Sequence, residues 1–394
     1  MNKVVIVSAV RTPIGNFLGK LSSLSAVELG GLVINEAIRR AGIEKKDLDE
    51  VIMGNVLPCG LGQNPARQAM LKAGDIPFDT GALTVNKVCG SGLKSVMLLA
   101  QAIQTGDAEI GLAGGMESMS QAPYYLDRAR QGYRMGNGSI VDHMVHDGLW
   151  DVVNDFHMGY TAELISEKYR ISKEDMDQWA FDSNMKAINS TKAGRFKAEI
   201  LPVLVPQKGG PPLVVDSDEG PREPDMAKLA KLPPAFKKDG MVTAGNASKI
   251  SDGAAALVLM SEKKAKEMGA PILARVVAQA SAGLGLEEVL MSPIKAIPKV
   301  LKKAELELSQ IDLFEINEAF AASTVGVIRE LGIDPARVNV NGGAVALGHP
   351  IGASGARVLT TLLYAMADRQ AKRGLATLCL GGGEAVALVV EREG

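Results

Sequence analysis

A duplicated α/β fold is what this sequence predicts, and three observations predict it. Short, β-branched apolar runs alternate with stretches of helical periodicity, the pattern of a mainly parallel sheet flanked by helices. Segments of the first part recur in the second: AGIEKKDLDEVIMG from 41 resembles AELELSQIDLFEIN from 304, and Ser91-Gly92 recurs as Ser354-Gly355 at the same offset (354 − 91 = 263). A long stretch richer in Pro, Gly, Asp and Met interrupts the first part and has no counterpart in the second.

The elements follow in order. Residues 4–7 form a buried strand before a loop with Pro13 and Gly15, and helical periodicity over 26–41 stops at Gly42. Residues 51–53 are a second strand. Residues 84–88 are a third, running into Gly90-Ser91-Gly92 and a helix over 93–104. Residues 110–113 are a strand ending on Gly114-Gly115, whose counterpart is ATLCL ending on Gly381-Gly382. GAAALVLMSE from 253 is echoed by GEAVALVVERE from 383, and a further helix covers 354–367. The resulting boundaries are 1–121 with 250–270 for the N-terminal half, 122–249 for an inserted loop domain, and 271–394 for the C-terminal half. The insert holds a helix over 172–193, opened by a Ser-Lys-Glu-Asp cap. An excursion of this length is expected to be functional or interfacial, because a plain connection needs few residues.

Composition narrows the function classes. The chain has 394 residues, 46% of them hydrophobic, which is ample for buried cores. A net charge of −2 and scattered lysines and arginines argue against nucleic acid or an anionic membrane as partner. No run approaches the roughly 18 apolar residues of a membrane span. The start, MNKVVIVSAVRTP, lacks the features of a secretory signal, so a cytoplasmic protein is expected. Three cysteines are an odd number with no CxxC pair, and the four histidines show no zinc spacing. No metal site is expected, and any role the cysteines have is a role as thiols.

Three residues could carry chemistry. Cys89, in VNKVCGSGLKSV, stands at a strand–helix junction, where a helix N-terminus is expected to favour the thiolate and lower its pKa. A structural cysteine beside a helix-start turn is the other reading of this residue taken alone. His349, in NGGAVALGHPIGASG, is held between Gly348 and Pro350 in a loop; its ordinary pKa suits a base for a thiol, and a turn-stabilising role is the alternative. The glycines there do not fit a phosphate-binding motif. Cys379 ends a strand, and in an open sheet ligands bind beyond the carboxyl ends of strands. Gly381 could offer its amide to a developing oxyanion. One site at a pseudo-twofold junction accommodates all of these.

These segments resemble the thiolase family. The nucleophile segment, NEAFA at 317–321, the histidine segment and CLGGGEA at 379–385 all resemble its signatures, as do RTPIGNFLG at 11–19, GGMESMSQAP at 114–123 and TAGNAS at 243–248. The likeness covers nearly the whole chain in order. It implies an αβαβα-layered thiolase fold of two similar halves with an inserted loop domain. It also implies that Cys89 carries an acyl thioester, His349 takes its proton, and Cys379 moves the α-proton of a second acyl-CoA. Asn317 would position a water in one oxyanion hole, and the amides of Cys89 and Gly381 would form the other. No permanently bound cofactor is implied; coenzyme A thioesters are the substrates.

By the same resemblance, His157 and Met158 in FHMGYTAE approach the acyl and pantetheine end. Ser248, Phe236, Ala319 and Phe320 would line the pantetheine channel, and Arg222 lies towards the nucleotide end. Core packing is the alternative for Phe236 and Met158. The segment YYLDRARQGYRM at 124–135 falls where related enzymes build a tetramer contact, so a homo-oligomer, tetramer or dimer, is expected. The chain departs from the family pattern at Lys249 and Ser251, where Gly and Asn are common, in the short LMSPIKA segment at 290–296, and at Glu384-Ala385. The implied reaction is the reversible condensation of two acetyl-CoA to acetoacetyl-CoA and CoA. Cleavage of longer 3-ketoacyl-CoA is the alternative. A decarboxylating relative would carry histidine where Cys379 stands, and a non-catalytic acyl-CoA binder would not need the full set of four catalytic residues.

Overall fold

The computed structural model describes residues 2–393. Its sheet contains β1 (Val4–Arg11), β2 (Glu50–Gly54), β3 (Gly81–Val85), β4 (Ile110–Ser118), β5 (Ser251–Ser261), β6 (Ala274–Gly283), β7 (Leu313–Ile316), β8 (Arg373–Leu380) and β9 (Glu384–Glu391). Their order is β7-β8-β9-β6-β1-β5-β4-β2-β3, with the two-residue strand Gly15–Asn16 paired to β5. β2 runs parallel to β3 and β4, and β7 parallel to β8. β5 runs against β4 and β1, and β9 against β8 and β6. Each half is therefore mixed and mainly parallel by direction, with one reversed strand. The halves join at a short antiparallel seam, where Val5 and Ile6 face Arg275 and Ala274.

Helices α1 (Ala26–Ala41) and α2 (Pro65–Lys72) cover the outer face of the N-terminal half, and α6 (Pro293–Ala304), with α7 (Ala321–Leu331) beside it, covers that of the C-terminal half. Between the halves lie α3 (Ser91–Thr105) and α8 (Ser354–Asp368), giving αβαβα layers. α1 forms where expected: Ser25 and Glu28 make a reciprocal capping box, and Gly42 ends the helix at φ 69°. The inserted region holds α4 (Met158–Lys168) and α5 (Lys173–Lys192), the latter opened by a Ser172–Asp175 capping box. Both helices pack against α7. Among the described residues no helix is long and apolar enough to cross a membrane.

The repeat has a physical basis at two points. A Cβ on Gly355 would lie 2.1 Å from the Leu93 amide nitrogen, and one on Gly92 would lie 2.7 Å from that of Ala356, so the Ser-Gly pairs let α3 and α8 cross in backbone contact. Asp49 accepts the amides of Glu109 and Ile110 at 2.7 and 3.0 Å, as Asp312 accepts those of Lys372 and Arg373 at 2.8 and 2.7 Å. Each aspartate fixes the start of the neighbouring strand.

Several strand boundaries differ from expectation: β1 runs on to Arg11 rather than stopping at Val7, β3 begins at Gly81 rather than Thr84, and two strand ends shift at the site. β4 does not stop at Gly114-Gly115 but continues to Ser118, paired throughout with β5. The glycines serve close approach: a Cβ on Gly115 would lie 2.1 Å from the Gly352 carbonyl oxygen, in the loop after His349. β3 ends at Val85, before the expected Val88, because the chain turns over residues 86–90 to present Cys89.

The insert is tied to β1 by buried charge. Arg11 donates through Nε to Glu199 Oε1 at 2.6 Å, and through both terminal nitrogens to Asp218 at 2.7 and 2.9 Å. Replacing Arg11 with methionine is expected to lower the unfolding free energy by about 3–5 kcal/mol, because both carboxylates would stay buried without their counter-charge. Urea denaturation of the two proteins measures it.

Candidate active site

Cys89 sits in a tight turn between β3 and α3. The Ser91 hydroxyl accepts the Lys87 amide at 2.8 Å and donates to the Val88 carbonyl at 2.6 Å. Val88 adopts φ 46°, a costly conformation for a β-branched residue. The turn thus aims the partly buried Cys89 side chain into a cavity. Burial pushes its thiol up to about 12, although the amides of Gly381 and of Cys89 itself donate to the sulfur and pull the other way. The expectation of a lowered pKa is therefore corrected. The amides of Gly90 and Ser91 close the turn onto the Lys87 and Val88 carbonyls, and desolvation of the sulfur outweighs what the helix end supplies.

His349 lies in the loop between a short helix, Ala344–Leu347, and α8. Its Nδ1 is 2.6 Å from the Ser354 hydroxyl, which itself donates to the Pro350 carbonyl at 2.9 Å. The serine proton being committed, Nδ1 carries the hydrogen and donates, so Nε2 is the basic nitrogen. Nε2 is buried and has no hydrogen-bond partner among the described residues. Burial, with the Arg357 cation as a second cause, pushes the imidazole down to about 3. It is a neutral base throughout the physiological range.

Cys379, next to the end of strand β8, is buried, and burial with the nearby Cys89 raises its thiol pKa. Asn317 follows β7; its amide donates to the Thr377 carbonyl at 3.0 Å, and its buried side-chain oxygen and nitrogen have no partner among the described residues. Two buried glutamates hold this machinery, and the sequence reading did not single them out. Glu318 accepts from Trp179 Nε1 (3.0 Å), Ser183 Oγ (2.8 Å), Asn339 Nδ2 (2.8 Å) and the Val345 amide (3.0 Å), tying the Asn317 loop to α5 and to the histidine loop. Glu117 accepts the amides of Val56, Leu57 and Gly352 and the Asn55 side chain, tying the end of β4 to the loop after His349. A lone carboxylate within a largely apolar stretch of motif is the available signal for both. Ser354, five residues after His349, marks in the sequence only a repeated pair and a helix start.

A cavity of about 60 Å³ brings together Cys89, His349, Cys379 and Gly381, walled by Met158, Leu149, Val289 and Leu290. His157, Ser248, Ala319 and Phe320 also line it. His157, Ser248, Phe320 and His349 continue into an outer cavity of about 560 Å³ that adds Phe236 and Arg222. There His157 stacks on Phe236 with ring centroids 4.8 Å apart, and Phe236 meets Phe320 edge-on. His157 Nδ1 accepts the Gly159 amide at the start of α4, and burial lowers its pKa. Asn317 lines neither cavity. The arrangement supplies a nucleophilic thiol, a neutral base, a second thiol and two convergent amides in an apolar enclosure, the set required for acyl transfer with carbanion chemistry.

The chain matches two family models, "Thiolase, N-terminal domain" over residues 4–263 and "Thiolase, C-terminal domain" over residues 270–392. It is 55% identical over 394 residues to the acetyl-CoA acetyltransferase of Pseudomonas aeruginosa, covering all of both chains. It is 52% identical over 393 residues to a probable acetyl-CoA acyltransferase of Staphylococcus aureus, again covering all of both. Among solved structures, the crystal structure of the Bacillus anthracis acetyl-CoA acetyltransferase superposes with a TM-score of 0.97 at 43% identity, over 99% of each chain. With both family domains matched, and with full-length relatives 52–55% identical, the chain belongs to the thiolase family.

Proposed function

We propose that this acyltransferase is an acetyl-CoA C-acetyltransferase, joining two acetyl-CoA into acetoacetyl-CoA and CoA, reversibly and by a ping-pong route through acetyl-Cys89. The observation that carries this reading is the small apolar cavity in which Cys89, His349 and Cys379 meet beside Met158. The full-length relatives named acetyl-CoA acetyltransferase support the same reading.

The residues divide the reaction as follows. His349 Nε2 takes the Cys89 proton as the sulfur attacks the thioester carbonyl, and Cys379 gives its proton to the departing CoA sulfur. The imidazolium forms only while negative charge faces it, in keeping with a free-enzyme pKa near 3. The Cys379 thiolate then removes the α-proton of the second acetyl-CoA. A thiolate whose conjugate acid is held high is well matched to that weakly acidic C–H. The enolate attacks acetyl-Cys89, the amides of Cys89 and Gly381 hold the oxyanion, and His349 returns its proton to the released Cys89. Asn317, through a water, is assigned to the oxyanion of the acetyl-CoA thioester. These residues need no permanently bound cofactor.

His157, Ser248, Phe236, Ala319 and Phe320 are assigned to the pantetheine arm and Arg222 to the nucleotide end, on the strength of their lining the continuous inner and outer cavities. A homo-oligomer is part of the reading, supported by the apolar residues exposed along the inserted segment, among them Tyr124, Leu126, Met135 and Ile140. Cytoplasmic placement is supported by three unpaired cysteines. Chain length decides between this reading and a degradative thiolase. The value of kcat/KM for acetoacetyl-CoA is expected to exceed that for 3-ketohexadecanoyl-CoA by about 100-fold, because Met158, Leu149 and Leu290 close the cavity. A clear preference for the long chain would assign the degradative activity instead.

A further inference from the structure

We infer that Lys249 is a positioning residue for His349, clamping the histidine loop to the inserted region so that Nε2 stays aimed at the Cys89 sulfur; this rests on the acyl-transfer reading above. The Lys249 ammonium donates to the Ala346 carbonyl at 2.8 Å, three residues before His349, and to the Gly220 carbonyl of the insert at 2.5 Å. The Lys249 carbonyl accepts the His349 amide at 3.0 Å. The Ser251 hydroxyl donates to that same carbonyl at 2.9 Å and also receives the His349 amide at 3.2 Å. Both groups that hold the His349 peptide are therefore fixed by Lys249, whose side chain grips the loop a second time at Ala346. A glycine at 249 would supply the carbonyl but not the cross-link from 220 to 346.

Packing makes the grip tight. Gly348 adopts φ 112°, and a Cβ there would lie 2.3 Å from the Ser251 hydroxyl oxygen, so the loop has no slack against this segment. The ammonium is desolvated and faces a second cation, Arg222, across the shared cavity wall; both effects push its pKa down to about 7. A lysine in such a place costs stability and is not explained as surface charge. Lys249 lines the outer cavity but not the small one around Cys89, so it does not reach the acyl group.

The test reads Cys89 alkylation by iodoacetamide, which needs no turnover, so its outcome is separate from whether the chain cleaves acetoacetyl-CoA. Lys249→Met is expected to slow alkylation at pH 7 about tenfold in the otherwise unchanged protein, and by less than about twofold in a His349→Ala background. In turnover, kcat is expected to fall about tenfold, with KM for acetoacetyl-CoA within about twofold. Lys249→Gln, a milder change, is expected to give the same pattern at about threefold, and serves if the methionine variant does not fold. An equal slowing in both backgrounds overturns the proposal, as does no slowing in either. A raised KM at unchanged kcat also overturns it, since Lys249 would then bind substrate.

Discussion

Replacing Cys89 with alanine is expected to lower CoA-dependent cleavage of acetoacetyl-CoA by about 10⁴-fold or more, because the covalent route is lost entirely. Sequential acyl transfer requires a group that keeps the first acetyl while one CoA leaves and another thioester enters. Cys379 cannot substitute. It is buried at the end of β8 and lacks the paired amides that converge on the Cys89 sulfur. Incubation with radiolabelled acetyl-CoA, followed by peptide mapping, checks this directly. Label is expected on the peptide containing Cys89 in the unchanged protein and on none in the variant. Label remaining on the variant, or found at Cys379 or Cys59, would show that Cys89 does not carry the acyl group.

The second large effect concerns pH. With the His349 imidazole held near 3 and the Cys89 thiol near 12, both partners are neutral between about pH 5 and 9. Acylation of Cys89 is expected to be flat across that window, since the base and the proton it must take are both present throughout. In His349→Ala only pre-formed thiolate attacks, so acylation is expected to fall about 10³-fold at pH 7 and to rise about tenfold per pH unit. Stopped-flow acylation of both proteins across the window distinguishes the two profiles; parallel profiles would remove His349 from the role of base.

The same imidazole affects stability. Unfolded, it titrates near 6.5; folded, near 3, so below 6.5 the unfolded chain binds the extra proton. Its contribution is present above about pH 6.5 and is lost as pH falls towards 3. The alanine variant is expected to lose that component of acid sensitivity in urea titrations at pH 7 and pH 5.

Much was legible in the residues themselves. The Ser-Gly pairs at 91 and 354 and the aspartates at 49 and 312 recur because two copies of one unit need the same helix crossing and the same strand anchor. Local signals also placed α1 and α5, whose Ser25–Glu28 and Ser172–Asp175 boxes lie within one turn of chain. The motifs put Cys89, His349 and Cys379 at element ends, and the cavity brings those three ends together. By contrast, the antiparallel seam of Val5 and Ile6 with Arg275 and Ala274 left no local mark, because pairing across so many residues depends on both halves being folded.

What the sequence by itself determined, then, is the duplicated α/β unit, the family likeness, and which residue types stand ready for acyl transfer. Tertiary structure decided their protonation. The helix end beside Cys89 predicted a ready thiolate, yet side chains from distant segments, such as Leu149, Met158 and Leu290, exclude water from that sulfur and keep its proton on. Ser354 decided which nitrogen of His349 is basic, and Arg357 helped decide that it stays neutral. Solvation is set by everything that surrounds a group, and those surroundings exist only once residues far apart in the chain have packed together.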